Sequence, residues 1–245
     1  MAGSVKTEAI VLRSLRYGEA DRILHLYTPH RGRIGAIAKG VRRSKSRFGG
    51  RLEPFFRVRL VLYEGRSDLL TVTSAETVAP YARLRGDASS LDAAARACDA
   101  VARLFETADP HPAVFHLLAN ELALLDEGVG GPVSHGDEPG RLAFRLKLLL
   151  AAGLAPHLAG CAVCGERDHL SGFSGAAGGV VCGACEGAAF PLDEAAHTFM
   201  VEALGRPLAD APRGTPPRAL RQAERAIIET VEHHAHLRLR PALTG

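Results

Sequence analysis

The period of the hydrophobic pattern changes at Pro80. Before it, apolar residues recur every second position; after it, they recur at helical spacing. Residues 5–14, 22–28, 32–39, 55–63 and 68–78 read as five short strands, the second and third joined by the tight turn Pro29-His30-Arg31-Gly32. No crossover between them is long enough for a βαβ unit, so an antiparallel barrel is the natural closure, and the oligonucleotide-binding (OB) barrel is the prime candidate. In 55–63 the alternation places Phe56, Val58, Leu60 and Leu62 on a core face and Phe55, Arg57, Arg59, Val61 and Tyr63 on the other. Beyond Pro80, helices are predicted over 89–107 (capped by Ser89 or Ser90, with Leu91 and Cys98 on its apolar face), 111–127 (closed by Gly128), 141–152, 192–204 and 216–238 (capped by Thr215). The fold class expected is therefore α+β: an OB barrel over residues 1–80, then a helical domain over 81–245.

Charge follows the same division. The chain of 245 residues has a formal net charge of +3, yet residues 1–60 carry 14 Lys/Arg against 4 Asp/Glu. The concentration is greatest in 31–59, with Arg31, Arg33, Lys39, Arg42, Arg43, Lys45, Arg47, Arg51, Arg57 and Arg59 against Glu53 alone. A solvated surface that protects a barrel edge would be served equally well by mixed charges. A polyanion explains the single sign. Lys and Arg displace counterions from phosphates, and Phe48, Phe55 and Tyr63 are candidates to stack on unpaired bases. Gly40, Gly49 and Gly50 suggest a loop able to follow a nucleic-acid backbone. No recognition-helix array and no GxxxxGK[ST] occur, so little sequence specificity and no nucleotide binding by a P-loop are expected.

The segment 157–190 lacks periodicity but holds Cys161-x2-Cys164 and, seventeen residues later, Cys182-x2-Cys185. Two CxxC turns, eased by Gly165, Gly183 and Gly187, can aim four thiolates at one ion. This is the pattern of a structural Zn2+ site with no position left for water. Two disulfides conflict with the first fifteen residues, which alternate polar and apolar, include Lys6, Glu8 and Arg13, and do not read as a secretory signal. A redox CxxC would open a helix beside a βαβ unit, which is absent. One zinc ion ordering an insertion of the helical domain is the expectation. No apolar run approaches about 18 residues, so no membrane partner is expected.

Three other clusters stand out. His233, His234 and His236 offer a weak second metal site or favourable charges at a helix C-terminus. Arg218, Arg221 and Arg225 share a helical face, either solvated or shaped for an acidic, hydrophobic peptide tail. The paired carboxylates Asp126-Glu127, Asp137-Glu138 and Asp193-Glu194 suit caps, and no nucleophile constellation is legible, so no enzyme is expected.

Tyr17-Gly18-Glu19-x-Asp21-Arg22, Leu26-Tyr27-Thr28, Ala38-Lys39-Gly40-Val41-Arg42-Arg43, Ser46-Arg47 and Leu52-Glu53-Pro54-Phe55 resemble the bacterial recombination-mediator family RecO. So do Phe144-Arg145-Leu146-Lys147-Leu148-Leu149, Gly153-Leu154-Ala155-Pro156 and the four cysteines, in the family's order over nearly the whole chain. The resemblance implies a cytoplasmic, nucleoid-associated protein that binds single- and double-stranded DNA and anneals complementary strands without ATP. It also implies partners: RecR, the single-strand-binding protein SSB and, indirectly, RecA. It carries DNA contact onto Lys39, Arg42, Arg43 and Arg47; charge and alternation add Arg33, Lys45, Arg51, Arg57 and Arg59. An RNA-binding OB protein with a zinc ribbon is the alternative. A zinc nuclease is disfavoured by four thiolates.

Overall fold

Strand β1 (Gly3–Tyr17) is long enough to serve two partners. Its first half pairs with β4 (Arg57–Glu64) and its second half with β2 (Asp21–Thr28), across a bulge between Val11 and Arg13. A bulge bends and twists a strand, which lets one strand turn a barrel corner. With β3 (Gly32–Ala38) and β5 (Leu70–Ala79) the sheet closes in the order β1-β2-β3-β5-β4. Only β3 and β5 run parallel, at Ala36–Leu70 and Ile37–Thr71. This is the expected OB barrel. The computed structural model describes residues 3–43, 45–46, 48–65, 67–132, 134–185, 187 and 189–239.

The barrel core is built by alternation. Leu24, Leu26, Ala36, Ala38, Val58, Leu60, Leu62 and Val72 are fully buried, and Phe56 packs against them in part. Phe48 and Leu52, from the loop between β3 and β4, complete the same core. The expected strand 55–63 begins two residues late. Phe55 sits in the left-handed region (φ 73°), and its N–H donates to the Val11 carbonyl at 2.7 Å, so it closes a turn.

Contacts divide the chain into residues 1–131 and 132–245. Helices α1 (Ala88–Leu104) and α2 (Pro112–Gly128) belong to the barrel's unit, so this division falls later than the change of period at residue 80. The α1 cap is Asp87, not a serine: its carboxylate accepts the Ser90 N–H at 2.7 Å, and that bond holds its pKa below the ordinary value. Cys98 is buried as expected, and burial pushes its thiol pKa up. Leu91, expected on the buried face, is exposed. Gly128 is the last residue of α2, not the one beyond it.

The second unit holds α3 (Glu138–Ala151), α4 (Glu194–Gly205) and α5 (Pro217–His234). Asp137 caps α3 by accepting the Gly140 N–H at 2.8 Å, so the helix starts three residues before the predicted position. Thr215 does not cap α5; its hydroxyl donates to the Pro212 carbonyl. Arg145 on α3 faces Glu224 on α5 at 3.6 Å, both almost wholly buried. The unpredicted element is a small sheet, β7 (Gly179–Cys182), β6 (Leu170–Ser174) and β8 (Phe190–Pro191), in that order. No helix among the described residues is long and apolar enough to cross a membrane.

Candidate metal centre and nucleic-acid interface

The four sulfurs of Cys161, Cys164, Cys182 and Cys185 lie within 4.8 Å of one another, and Cys164 and Cys182 are 3.7 Å apart. A tetrahedron with metal–sulfur bonds of about 2.3 Å has edges of about 3.8 Å. The first turn is closed by the Gly165 N–H donating to the Cys161 carbonyl at 2.9 Å, with Gly165 at φ 81°. The second turn leaves the end of β7, and the Cys185 N–H donates to the Cys182 carbonyl at 2.9 Å. Gly183 adopts no left-handed conformation, so only Gly165 and not Gly183 is required by its turn.

The electrostatics ask for a cation. Backbone N–H groups of Cys164 and Cys182 draw the Cys161 thiol down to about 6. The thiols of Cys164 and Cys182 hold Cys185 up to about 12. The Cys161 sulfur is thus prepared as a thiolate while Cys164 and Cys185 resist further negative charge, a conflict that an ion at the centre would remove. The donor set, its spacing and these N–H donors fit a metal held by four thiolates.

Histidines brace this region as structural groups. His234 Nε2 lies 2.8 Å from the Gly175 carbonyl oxygen, and His197 Nε2 lies 2.8 Å from that of Leu158. His157 pairs through its backbone with Gly178 and Val180. A Cβ at Gly179 would stand 2.3 Å from the His157 carbonyl oxygen, so only glycine fits. Among the described residues the four cysteines are the one group able to hold a metal, and the His233–His236 cluster does not form a second.

Eight of the ten cations of 31–59 sort into two classes. Arg57 forks onto Glu8 at 2.7 and 3.0 Å, with its guanidinium 5.5 Å from the Phe115 ring centroid. Arg59 bridges Glu76 at 3.0 Å and Glu8 at 3.5 Å. Arg33 donates to the Ala102 carbonyl at 3.0 Å, and Arg31 pairs with Glu64. These four are engaged inside their own unit. Lys39, Arg42, Arg43 and Lys45 are exposed and have no ion pair among the described residues. Arg51 shares their loop, and Arg47 lies outside the described residues.

That loop is a series of turns around a buried plug, not an open tether. The Gly40 N–H donates to Asp21 Oδ1 at 2.7 Å and the Arg42 N–H to the Ala20 carbonyl at 2.9 Å, so its first residues are fastened to the β1–β2 turn. Two further exposed cations with no ion pair among the described residues, Arg13 and Arg16, stand on β1. The sequence does not single them out because the run after residue 30 is denser, although Arg13-x-x-Arg16-Tyr17 is legible there.

Known families recognise both halves of the chain. The Recombination protein O N-terminal model matches residues 1–81 and the C-terminal model residues 85–241. The DNA repair protein RecO of Rubrobacter xylanophilus is 39% identical over 229 residues, covering 91% of this chain and 88% of that one. The RecO of Bifidobacterium adolescentis is 44% identical over 182 residues, 72% of each chain, and that of Myxococcus xanthus 35% over 238 residues, 95% and 93%. The chain belongs to the RecO family. The OB barrel and the four-cysteine cluster described above fall inside the two RecO matches, and the change from one match to the next coincides with the change of hydrophobic period.

Within this RecO chain, two of the three aromatics expected to stack on bases are not free to do so. Phe48 is 1% exposed and Phe55 8%. The Arg85 guanidinium lies 5.8 Å from the Phe55 ring centroid and 4.8 Å from that of Phe56. Only Tyr63 remains outward. Phe48→Ala is therefore expected to act through stability, lowering it by about 3–5 kcal/mol in a denaturant titration. Affinity of the folded fraction for DNA should hold; a selective loss of affinity with unchanged stability would place Phe48 at the interface after all. On α5, Arg218 pairs with Asp193 at 3.0 Å. Arg225 pairs with Glu229 at 2.9 Å and lies 4.1 Å from the Phe190 ring centroid, so two of the three arginines on that face are already engaged.

Proposed function

We propose that the protein binds single- and double-stranded DNA through the loop 39–51 and anneals complementary strands without ATP. With RecR it assists loading of RecA onto DNA coated by SSB. The observation that carries the DNA reading is the sorting of cations. Lys39, Arg42, Arg43 and Lys45 face solvent, with no acid partner among the described residues, on a loop fastened to the barrel, and Arg47 and Arg51 belong to the same run. Arg33, Arg57 and Arg59, expected at the interface from the sequence, already have partners in the barrel's unit, so the loop cations carry this reading more strongly than they do. Family membership supports the repair setting, since the relatives are named DNA repair proteins.

Annealing makes and breaks no covalent bond, so this work needs no catalytic group. Cations that screen two phosphate backbones at once lower the barrier to pairing. The four thiolates suit one structural Zn2+, because a closed sulfur shell leaves no position for a reacting water. On this reading the protein works in the bacterial cytoplasm, at the nucleoid.

The test is annealing of two complementary DNA strands, each coated with the cognate SSB, without ATP. Acceleration on coated strands is expected. Acceleration on bare strands alone would retain DNA binding and discard action on SSB. No acceleration on either, with tighter binding of RNA, would move the protein to the RNA-binding class.

A further inference from the structure

The turn between β2 and β3 is pinned at the end of the hairpin away from the basic loop. Thr28 Oγ1 donates to the Gly32 carbonyl at 3.1 Å and accepts the Arg31 N–H at 3.1 Å. A Cβ at Gly32 would stand 2.3 Å from the Asp109 carbonyl oxygen, so the turn is pressed against the connection between α1 and α2. Strand β2 has eight residues, about 25 Å of extended chain, and separates this turn from Asp21, where Gly40 is fastened.

A cavity of about 430 Å3 opens beside the turn, walled by β1, β4, the turn itself and the start of α2. That volume lies in the range of small-molecule sites. Three basic side chains in its lining have no acid partner among the described residues: Lys6 on β1, His30 in the turn and His116 on α2. All three are exposed. Arg59 adds a guanidinium that already reaches Glu8 and Glu76. Glu8 is the one acid of the lining, and Arg57 and Arg59 share its charge. Phe115 and Pro29, both buried, supply an apolar floor. Donors carried by three different elements suit a tetrahedral anion. A phosphate monoester presents three terminal oxygens and a charge approaching −2. A carboxylate, or the phosphodiester of an unbroken strand, presents two such oxygens and a single charge, and would leave one of the three donors unused.

We propose that this cavity binds a phosphate monoester, with Lys6, His30 and His116 on the phosphate and the attached nucleoside against Phe115 and Pro29. The same group ends a 5′-phosphorylated strand and a free nucleoside monophosphate, and either source satisfies the lining. The site goes beyond the DNA-binding reading and does not rest on it. The loop 39–51 meets phosphodiesters along a strand, wherever they fall. The cavity, at the other end of β2, takes a terminal group only.

Thymidine 5′-monophosphate, titrated by calorimetry, is the probe, with thymidine as its phosphate-free control. The unaltered protein is expected to bind the monophosphate and not thymidine. Lys6→Ala with His116→Ala should weaken that binding about tenfold or more, since two charge-assisted contacts are lost. Both positions are exposed, so the melting transition should stay in place. Replacement of Lys39, Arg42, Arg43 and Arg47 by alanine should leave monophosphate binding within about twofold. In that loop variant, preference for a 5′-phosphorylated oligonucleotide over its 5′-hydroxyl twin, abolished by Lys6→Ala with His116→Ala, would assign the site to strand ends. Equal binding of the two oligonucleotides, with the monophosphate still bound, would assign it to the free nucleotide. If a 5′-phosphate strengthens binding of neither the nucleoside nor the oligonucleotide, or if the Lys6 and His116 replacements leave its effect intact, the cavity is no such site and the basic loop is untouched. Binding of the monophosphate by an unaltered protein that holds neither single strands nor duplexes would overturn the DNA reading and keep this site.

Discussion

Replacing Lys39, Arg42, Arg43 and Arg47 together with alanine is expected to weaken binding of single strands and duplexes by about a hundredfold at low salt. Four lost phosphate contacts should also flatten the dependence of log affinity on log salt by about 3 units, since each contact contributes about 0.7–0.9. A change that acted by unfolding would not alter that slope in the fraction still able to bind. Stability should stay close to that of the unaltered protein. Lys39, Arg42 and Arg43 are exposed and make no ion pair among the described residues, and substitutions at such positions each change stability by about 0.5 kcal/mol or less. The hydrogen bond from residue 42 to the Ala20 carbonyl belongs to the backbone and survives truncation of the side chain. Unchanged affinity and slope would move the interface off this loop. A flatter slope for duplexes alone would mean that single strands reach the protein by another surface.

Charge could be counted in the sequence but not sorted there. Arg57 and Arg59 look outward by alternation, and outward they are, yet their acid Glu8 lies on a strand 49 residues from Arg57. Arg33 finds its partner at Ala102, 69 residues away. Such pairings depend on tertiary structure, and alternation carries no information about them. The barrel itself was legible because Val58, Leu60 and Leu62 obey a period of two and both ends of each strand carry turn residues. Phe48 and Phe55 were misplaced for a related reason. A loop has no period, so nothing local tells whether its aromatic plugs the barrel or faces solvent. Asp87 was passed over as a cap because Ser89 and Ser90 compete for that role within two residues.

The cysteine spacing predicted the cluster of four sulfurs from local sequence, but not the small sheet beside it. Strands β6, β7 and β8 have 5, 4 and 2 residues, too few for a period to be read. Their order comes from distant groups: the His157 backbone against Gly179, and His234 on the carbonyl of Gly175. At Gly179 a Cβ would meet the His157 backbone, and at Gly175 it would meet Glu229 and the His233 ring.

Cys161→Ser is expected to release the metal and unfold the region 157–191, with little effect on DNA binding by the loop 39–51. The buried cluster here consists of Cys161, Val181 and Cys182, with Leu170, Ala177, Cys185 and Ala189 packed against it in part. Two of its three buried members belong to the candidate thiolate cluster, so the apolar surface left to hold the turns together without an ion is small. Structural zinc contributes an apparent 10–16 kcal/mol or so in small zinc-dependent folds, which is as large as the whole stability of an ordinary domain, about 5–15 kcal/mol. Apolar burial of this extent does not replace it. Elemental analysis should show one zinc per chain in the unaltered protein and a loss in the variant. Limited proteolysis should then cut within 157–191, and the cooperative melting of residues 132–245 should shift down by tens of degrees or disappear. Removal of the metal by a strong chelator should reproduce this in the unaltered chain, and zinc should reverse it there but not in the variant. DNA binding separates the structural reading from a direct one. The basic loop lies in the other compact unit, residues 1–131, so affinity within about threefold of the original is expected while the second unit loses its protection. If the melting of residues 132–245 were unchanged after metal loss while affinity collapsed, the thiolate cluster would have to be part of the DNA-binding surface, and the apolar contacts around Val181 would suffice to hold the sheet.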